Sequence, residues 1–226
     1  MLQVETPAIT ERRLKLELRL AQIQDMKSCR ENFLHYVKKM WPEFIGGAHH
    51  TMIAKKFEDI ANGKNKRLII NMPPRHTKSE FASYLFPSWI IGRDPKTKII
   101  QTTHTAELAV NFGRKVRNLL DTEEYGTVFE GVKLQADSKA AGRWSTNHGG
   151  EYFAAGVGGA ITGRGADLLI IDDPHSEQDA LSETTMEHAY EWYTSGPRQR
   201  LQPGGAIVIV MTRWSLKDLT AKLLKA

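Results

Sequence analysis

Two short segments carry residue types whose spacing suits phosphate chemistry. The first is Asn71-Met72-Pro73-Pro74-Arg75-His76-Thr77-Lys78-Ser79, set between the apolar run Leu68-Ile69-Ile70 and a stretch that reads as helix from Lys78 to about Ile91. A phosphate-binding loop curls backbone N–H groups around oxygens at a helix N-terminus, with a Lys for the β/γ phosphates and a hydroxyl for Mg²⁺. Lys78 and Ser79 supply both side chains, although Met72 and Thr77 stand where the G-x-x-x-x-G-K-[ST] pattern has glycines. Taken singly, the segment also fits a basic turn that opens a helix.

The second segment is Leu168-Leu169-Ile170-Ile171-Asp172-Asp173. Four apolar residues ending in two acids place carboxylates at the carboxyl end of a strand, where α/β sheets bind ligands. Asp172 is placed to hold Mg²⁺ through water or the Ser79 hydroxyl, and Asp173 to polarise an attacking water. A solvated Asp-Asp-Pro turn is the plain reading of this segment alone. Both segments within one α/β pattern specify a nucleotide site, with Mg²⁺ expected at Ser79 and Asp172 and Pro74 to Glu80 lining the phosphates.

The elements that must position these groups alternate along the chain. Residues 1–10 read as frayed, and from Glu11 apolar residues recur at three- and four-residue steps (Leu16, Leu20, Ile23, then Phe33, Val37, Trp41), the pattern of amphipathic helix. His49 to Ala61 is a second helical stretch, stopped by Asn62-Gly63. Strand candidates are Arg67 to Asn71, Lys98 to Thr102, Leu168 to Ile171 and Ala206 to Met211; helices fall at Glu107 to Leu120, Glu177 to Tyr193 and from Leu216. Residues 121–165 are less regular, β-rich, and end in a glycine cluster. Strands alternating with helices imply a parallel α/β sheet flanked by helices. A small helical segment, 1–45, precedes a domain spanning 46–226.

Length and composition narrow the function classes. The chain has 226 residues, 41% hydrophobic and 25% charged, ordinary globular values that disfavour collagen-like, disordered and coiled-coil readings. Its longest apolar run is six residues, Ala206 to Met211, against roughly 20 for a membrane span. No membrane partner is expected. One cysteine, Cys29, rules out an intrachain disulfide and a Cys-based zinc cluster, and the eight histidines show no ligand spacing. The net charge of +5 favours a polyanionic partner only mildly. Gly156-Val157-Gly158-Gly159 lacks the preceding strand and later acid of a dinucleotide fingerprint.

With both segments in place, the chain resembles the ATPase domain of the phage terminase large subunit, a RecA-like P-loop NTPase. Pro73-Pro74-Arg75-His76-Thr77-Lys78-Ser79 is similar to that family's variant Walker A, with Thr77 at its usual glycine. Thr162-Gly163-Arg164-Gly165-Ala166-Asp167 leading into the Asp172-Asp173 strand, and Met211-Thr212-Arg213-Trp214, are similar as well. Asp173 stands where many members carry a catalytic Glu.

The resemblance implies that Arg75 reaches the phosphates, that Thr212 and Arg213 form the coupling motif with Thr212 sensing the γ-phosphate, and that His49 or His50 grips adenine. It implies an arginine finger for a neighbouring subunit, with Arg164 as first candidate and Arg143, Arg198 and Arg200 as rivals. Arg164 precedes the carboxylate strand by a few residues and is therefore expected near the site's edge. The implied activity is ATP hydrolysis driving double-stranded DNA into a prohead, in the host cytoplasm. The implied partners are the portal protein, the small terminase subunit and further copies in a ring, with monomers in solution an alternative. No nuclease activity is expected of this chain. A helicase-type ATPase fragment and a non-hydrolysing nucleotide-dependent module are the competing readings.

Overall fold

The computed structural model describes residues 7–225. In chain order they form α1 (Pro7–Glu31), α2 (Phe33–Met40), α3 (Ala48–Ala61), β1 (Arg67–Asn71), a π-helical turn (Glu80–Leu85) running into α4 (Phe86–Arg93), and β2 (Lys98–Thr103). Then come α5 (Ala106–Leu120), α6 (Glu123–Val128), β3 (Leu134–Ala140), β4 (Arg143–Thr146), β5 (Glu151–Gly156), β6 (Ala166–Asp172), α7 (Glu183–Ser195), β7 (Leu201–Met211) and α8 (Leu219–Leu223). One seven-stranded sheet has the order β1-β7-β6-β2-β5-β4-β3. The first five strands are mutually parallel, and β4 and β3 extend the sheet antiparallel. The expected parallel sheet flanked by helices is therefore present.

Apolar runs become central strands here because each residue in turn finds a covered face. Leu168 and Ile170 of β6, with Val208 and Val210 of β7, join the core beneath α2 to α6, whereas Leu169, Ile171, Ile207 and Ile209 pack with Tyr193 of α7 and Leu219 of α8. Strand side chains alternate between faces, so only a run without polar residues satisfies both layers.

The N-terminal helices divide in their packing. Asn32 caps α2, its side chain accepting from the His35 N–H at 2.7 Å, and Glu58 of α3 accepts from the Phe33 N–H at 2.9 Å. These bonds seat the Phe33 ring against Phe57, Phe81 and Phe86, at centroid distances of 5.5, 5.7 and 5.7 Å. The Trp89 indole N–H donates to the Cys29 carbonyl at 2.8 Å, tying the end of α1 to α4. Earlier in α1 the expected apolar stripe covers nothing: Leu16, Leu20 and Ile23 are 55%, 58% and 54% exposed. Periodicity marked the helix but not a partner for it.

Other boundaries shift for local reasons. Of residues 1–10, expected to fray, 1–6 lie outside the described residues and 7–10 are helical. The helix expected from Glu177 begins at Glu183, where the Ser182 hydroxyl accepts from the Thr185 N–H; the one expected from Leu216 begins at Leu219, capped by Asp218. No helix among the described residues is long and apolar enough to cross a membrane.

Candidate nucleotide-binding site

The carboxyl ends of the parallel strands converge on one edge of the sheet. Asn71 pairs with Met211, Val210 with Asp172, and Asp172 with Thr103, so the 72–79 loop, both carboxylates and Thr212 emerge side by side. Only β7 separates β1 from β6, a gap of roughly 10 Å at about 4.8 Å per strand, short enough for a lysine to cross. Lys78 does so, its Nζ lying 2.8 Å from Asp173 Oδ2.

The loop between β1 and the helix is left-handed at two places, Arg75 (φ 63°) and Thr77 (φ 60°). Glycine adopts such angles freely; for a residue with a Cβ they cost about 1–2 kcal/mol. Lys78 and Ser79 then begin the helix, which widens into the π-helical turn from Glu80. This supplies the helix N-terminus and the basic side chain that a phosphate group needs.

Asp172 is 1% exposed and accepts hydrogen bonds from the Ser79 hydroxyl at 3.0 Å and the Ser83 hydroxyl at 2.7 Å. Gln101 donates to Ser83 Oγ at 2.9 Å, holding that serine in turn. Burial drives the Asp172 pKa up to about 7; the neighbouring Asp173 adds to the rise, while the two hydroxyls and Lys78 oppose it. A buried carboxylate beside a serine hydroxyl is a hard oxygen donor set, chemically matched to Mg²⁺.

Asp173 leaves the strand at φ 41°, a conformation acids tolerate better than most residues. Its second oxygen, Oδ1, accepts from the Thr212 N–H at 2.8 Å, and the Thr212 hydroxyl donates to the Met72 carbonyl at 3.3 Å. The end of β7 is thus bonded both to the second carboxylate and to the start of the loop.

Of the residues expected from sequence, Pro74, Arg75, His76, Thr77, Lys78, Ser79, Asp172, Asp173 and Thr212 share this edge. Arg75 is exposed, and His76 bonds through Nδ1 to the Pro74 carbonyl at 2.9 Å. Glu80 is not directed to the loop; its carboxylate pairs with Lys115 of α5 at 2.7 Å. His50 reaches the loop, but through Thr77, with Nε2 and Oγ1 2.7 Å apart.

Arg164 lies elsewhere, contrary to the expectation of a place near the site's edge. Its guanidinium sits 4.0 Å above the Phe153 ring and 4.0 Å from Glu151, at the start of β5. Sequence proximity misleads because the seven residues of β6 (Ala166–Asp172) intervene, and at about 3.3 Å per residue they span roughly 20 Å.

Three contributors went unnoticed in the sequence. Ser83 stands four residues after Ser79, a spacing that puts both hydroxyls on one side of a helix; that signal was available. Asp218, buried, accepts from Arg213 Nε at 2.8 Å and from the Trp214, Ser215 and Ala221 N–H groups, fixing the turn after β7. His175 Nε2 accepts from the Leu219 N–H at 3.1 Å, joining the segment after Asp173 to α8. Asp218 as a helix cap is a local signal; no local pattern announces the His175 contact.

A comparison of the sequence with curated proteins finds a relative. Over 131 residues the chain is 27% identical to the terminase large subunit of Enterobacteria phage T3, a match covering 57% of this chain and 22% of that protein. The chain is similar to phage terminase large subunits. The crystal structure of the HK97 bacteriophage large terminase superposes with a TM-score of 0.54 at 13% identity, over 87% of this chain and 40% of the terminase, which is a likeness of fold. The chain thus spans about a fifth of the phage T3 terminase. No protein-family model matches it.

Proposed function

We propose that this chain is the ATP-hydrolysing part of a phage DNA-packaging motor, working on double-stranded DNA in a ring of copies with the portal protein and the small terminase subunit. The observation that carries the ATPase reading is the pair of contacts joining loop to strand, Lys78 on Asp173 and Ser79 on Asp172. The likeness to terminase large subunits supports the packaging role.

The chemistry follows from what these residues do. Lys78, 7% exposed at its side chain, is a desolvated cation at a helix N-terminus, and both features favour phosphate oxygens. Its bond to Asp173 is one that an anionic phosphate competes for. Lys78 moving to the phosphate frees Asp173 Oδ2, while Thr212 retains Oδ1, so the freed oxygen is oriented to accept a proton from water. Ser79 and Asp172 are the residues that would hold Mg²⁺, whose chemistry is to neutralise charge on the phosphates. Arg75, on the exposed rim, is the remaining cation available to the same phosphates. Arg164, on the far edge, is available only to a neighbouring copy.

Phosphate release from Mg-ATP by the purified chain is the direct test, with Lys78→Ala as the control. Losing one preorganised charge donor should lower turnover by about 10²–10³. Equal release by both proteins would place hydrolysis outside this site, and nucleotide binding without release at any protein concentration would favour a non-hydrolysing module.

A further inference from the structure

Among the described residues with positive φ, Thr77 is the β-branched one, the residue class least suited to that angle. Its hydroxyl is the middle link of a relay from α3. The Gly47 N–H donates to His50 Nδ1 at 2.8 Å. A backbone amide can only donate, so Nδ1 carries no proton and the neutral ring carries it on Nε2. Nε2–H donates to Thr77 Oγ1 at 2.7 Å, and the Thr77 hydroxyl donates to the His76 carbonyl at 2.7 Å.

The His50 ring is fixed where it stands. It is 5% exposed, with the Phe44 ring centroid 4.7 Å away and that of Phe81 5.1 Å away. Burial lowers its pKa, and His49 and His76 nearby lower it further, so the neutral ring is favoured. Both ring nitrogens are already bonded to protein, leaving neither for the edge of a nucleotide base.

We propose that His50 is a positioning residue that holds Thr77 in the left-handed conformation a glycine would take unaided, and so shapes the loop ahead of Lys78. This rests on the nucleotide-site reading above and assigns His50 to the loop in place of the base.

A double-mutant cycle tests it. His50→Phe keeps an aromatic ring at the site but removes both bonds, and Thr77→Gly removes the need for the strut. Affinity for a fluorescent ATP analogue should fall roughly tenfold, the worth of about one buried hydrogen bond, when His50→Phe is made with Thr77 present. In the Thr77→Gly background the same change should cost less than about twofold, because no hydroxyl remains to be held. His50→Gln, whose amide reaches like Nε2, should recover affinity that His50→Asn does not.

An equal loss in both backgrounds, with altered preference between ATP and GTP analogues, would put His50 on the base and overturn the proposal. Denaturant unfolding of the four proteins without nucleotide gives a readout independent of function. Non-additive midpoints with no nucleotide bound by any protein would uphold the strut and discard the ATPase reading. Additive midpoints would overturn the strut whatever the binding result.

Discussion

At the scale of single residues, the two adjacent acids illustrate how position divides labour. Asp172 ends β6 and is enclosed by serine hydroxyls, whereas Asp173 turns away at φ 41° to meet Lys78 and Thr212. Asp172, buried beside the Ser79 hydroxyl, offers oxygens to a cation, and Asp173, with Oδ1 fixed by the Thr212 N–H, presents Oδ2 to Lys78 and, once that bond is exchanged, to a water. Asp173→Asn keeps the hydrogen bond to Thr212 and removes the basic oxygen. It should bind ATP and lose turnover by about 10²–10⁴, the usual worth of a general base. Nucleotide binding and phosphate release measured on one preparation separate these effects, and unchanged release would move the base to another group.

At the scale of elements, short hydrogen-bonded contacts decide where helices start and what they carry. Asp218 caps α8 while bonding Arg213, so one carboxylate joins the turn after β7 to the last helix. Burial alone would raise its pKa, but the Arg213 guanidinium and the Ala221, Trp214 and Ser215 N–H groups outweigh it and hold the carboxyl below its ordinary 3.8. A carboxyl depressed in the fold stabilises the folded state above its unfolded value and loses that contribution as pH falls through its folded value. The stability gap between the native protein and Asp218→Asn should therefore shrink as pH falls through the ordinary 3.8 and on through the lower folded value, as read by denaturant unfolding at several pH values. A gap independent of pH would mean that the charge contributes nothing. Phe33 makes the same point for packing: it is fully buried where α2, α3, the π-helical turn and α4 meet. Phe33→Ala should cost about 3–5 kcal/mol, and calorimetry showing less than about 1 kcal/mol would mean that α2 is peripheral to the core.

At the scale of the whole molecule, the sheet separates Lys78 and the two acids from Arg164. Lys78, Asp172 and Asp173 occupy the carboxyl edge; Arg164 occupies the amino edge, stacked on Phe153. For the ATPase proposed above, an arginine finger at that position would have to act on a neighbouring copy, so activity should rise with protein concentration or on assembly, given that such fingers are worth about 10³–10⁵ in turnover. Mixing Arg164→Ala with Asp173→Asn chains should restore part of the activity, since a ring can pair an intact site with an intact arginine. No rescue, together with activity independent of concentration, would assign the activating arginine to Arg75 within the same chain.

What could be read from the sequence was local in character. The runs 168–171 and 206–211 had to be central strands because unbroken apolar residues need two covered faces. Lys78-Ser79 and Asp172-Asp173 stood out as candidates because their residue types and flanking elements are contiguous in the chain, and the fold brings the two pairs into contact. Relations between distant segments were decided by tertiary structure. His50 serves Thr77 because α3 packs beside the loop, Glu80 turns to Lys115 because α5 passes it, and Arg164 sits far from Asp172 because a full strand separates them. The leucines of α1 show the reverse case, since a helical period specifies a face but never what covers it. Side chains and their periodicity determine an element; only the packing of elements determines which atoms of separate segments meet.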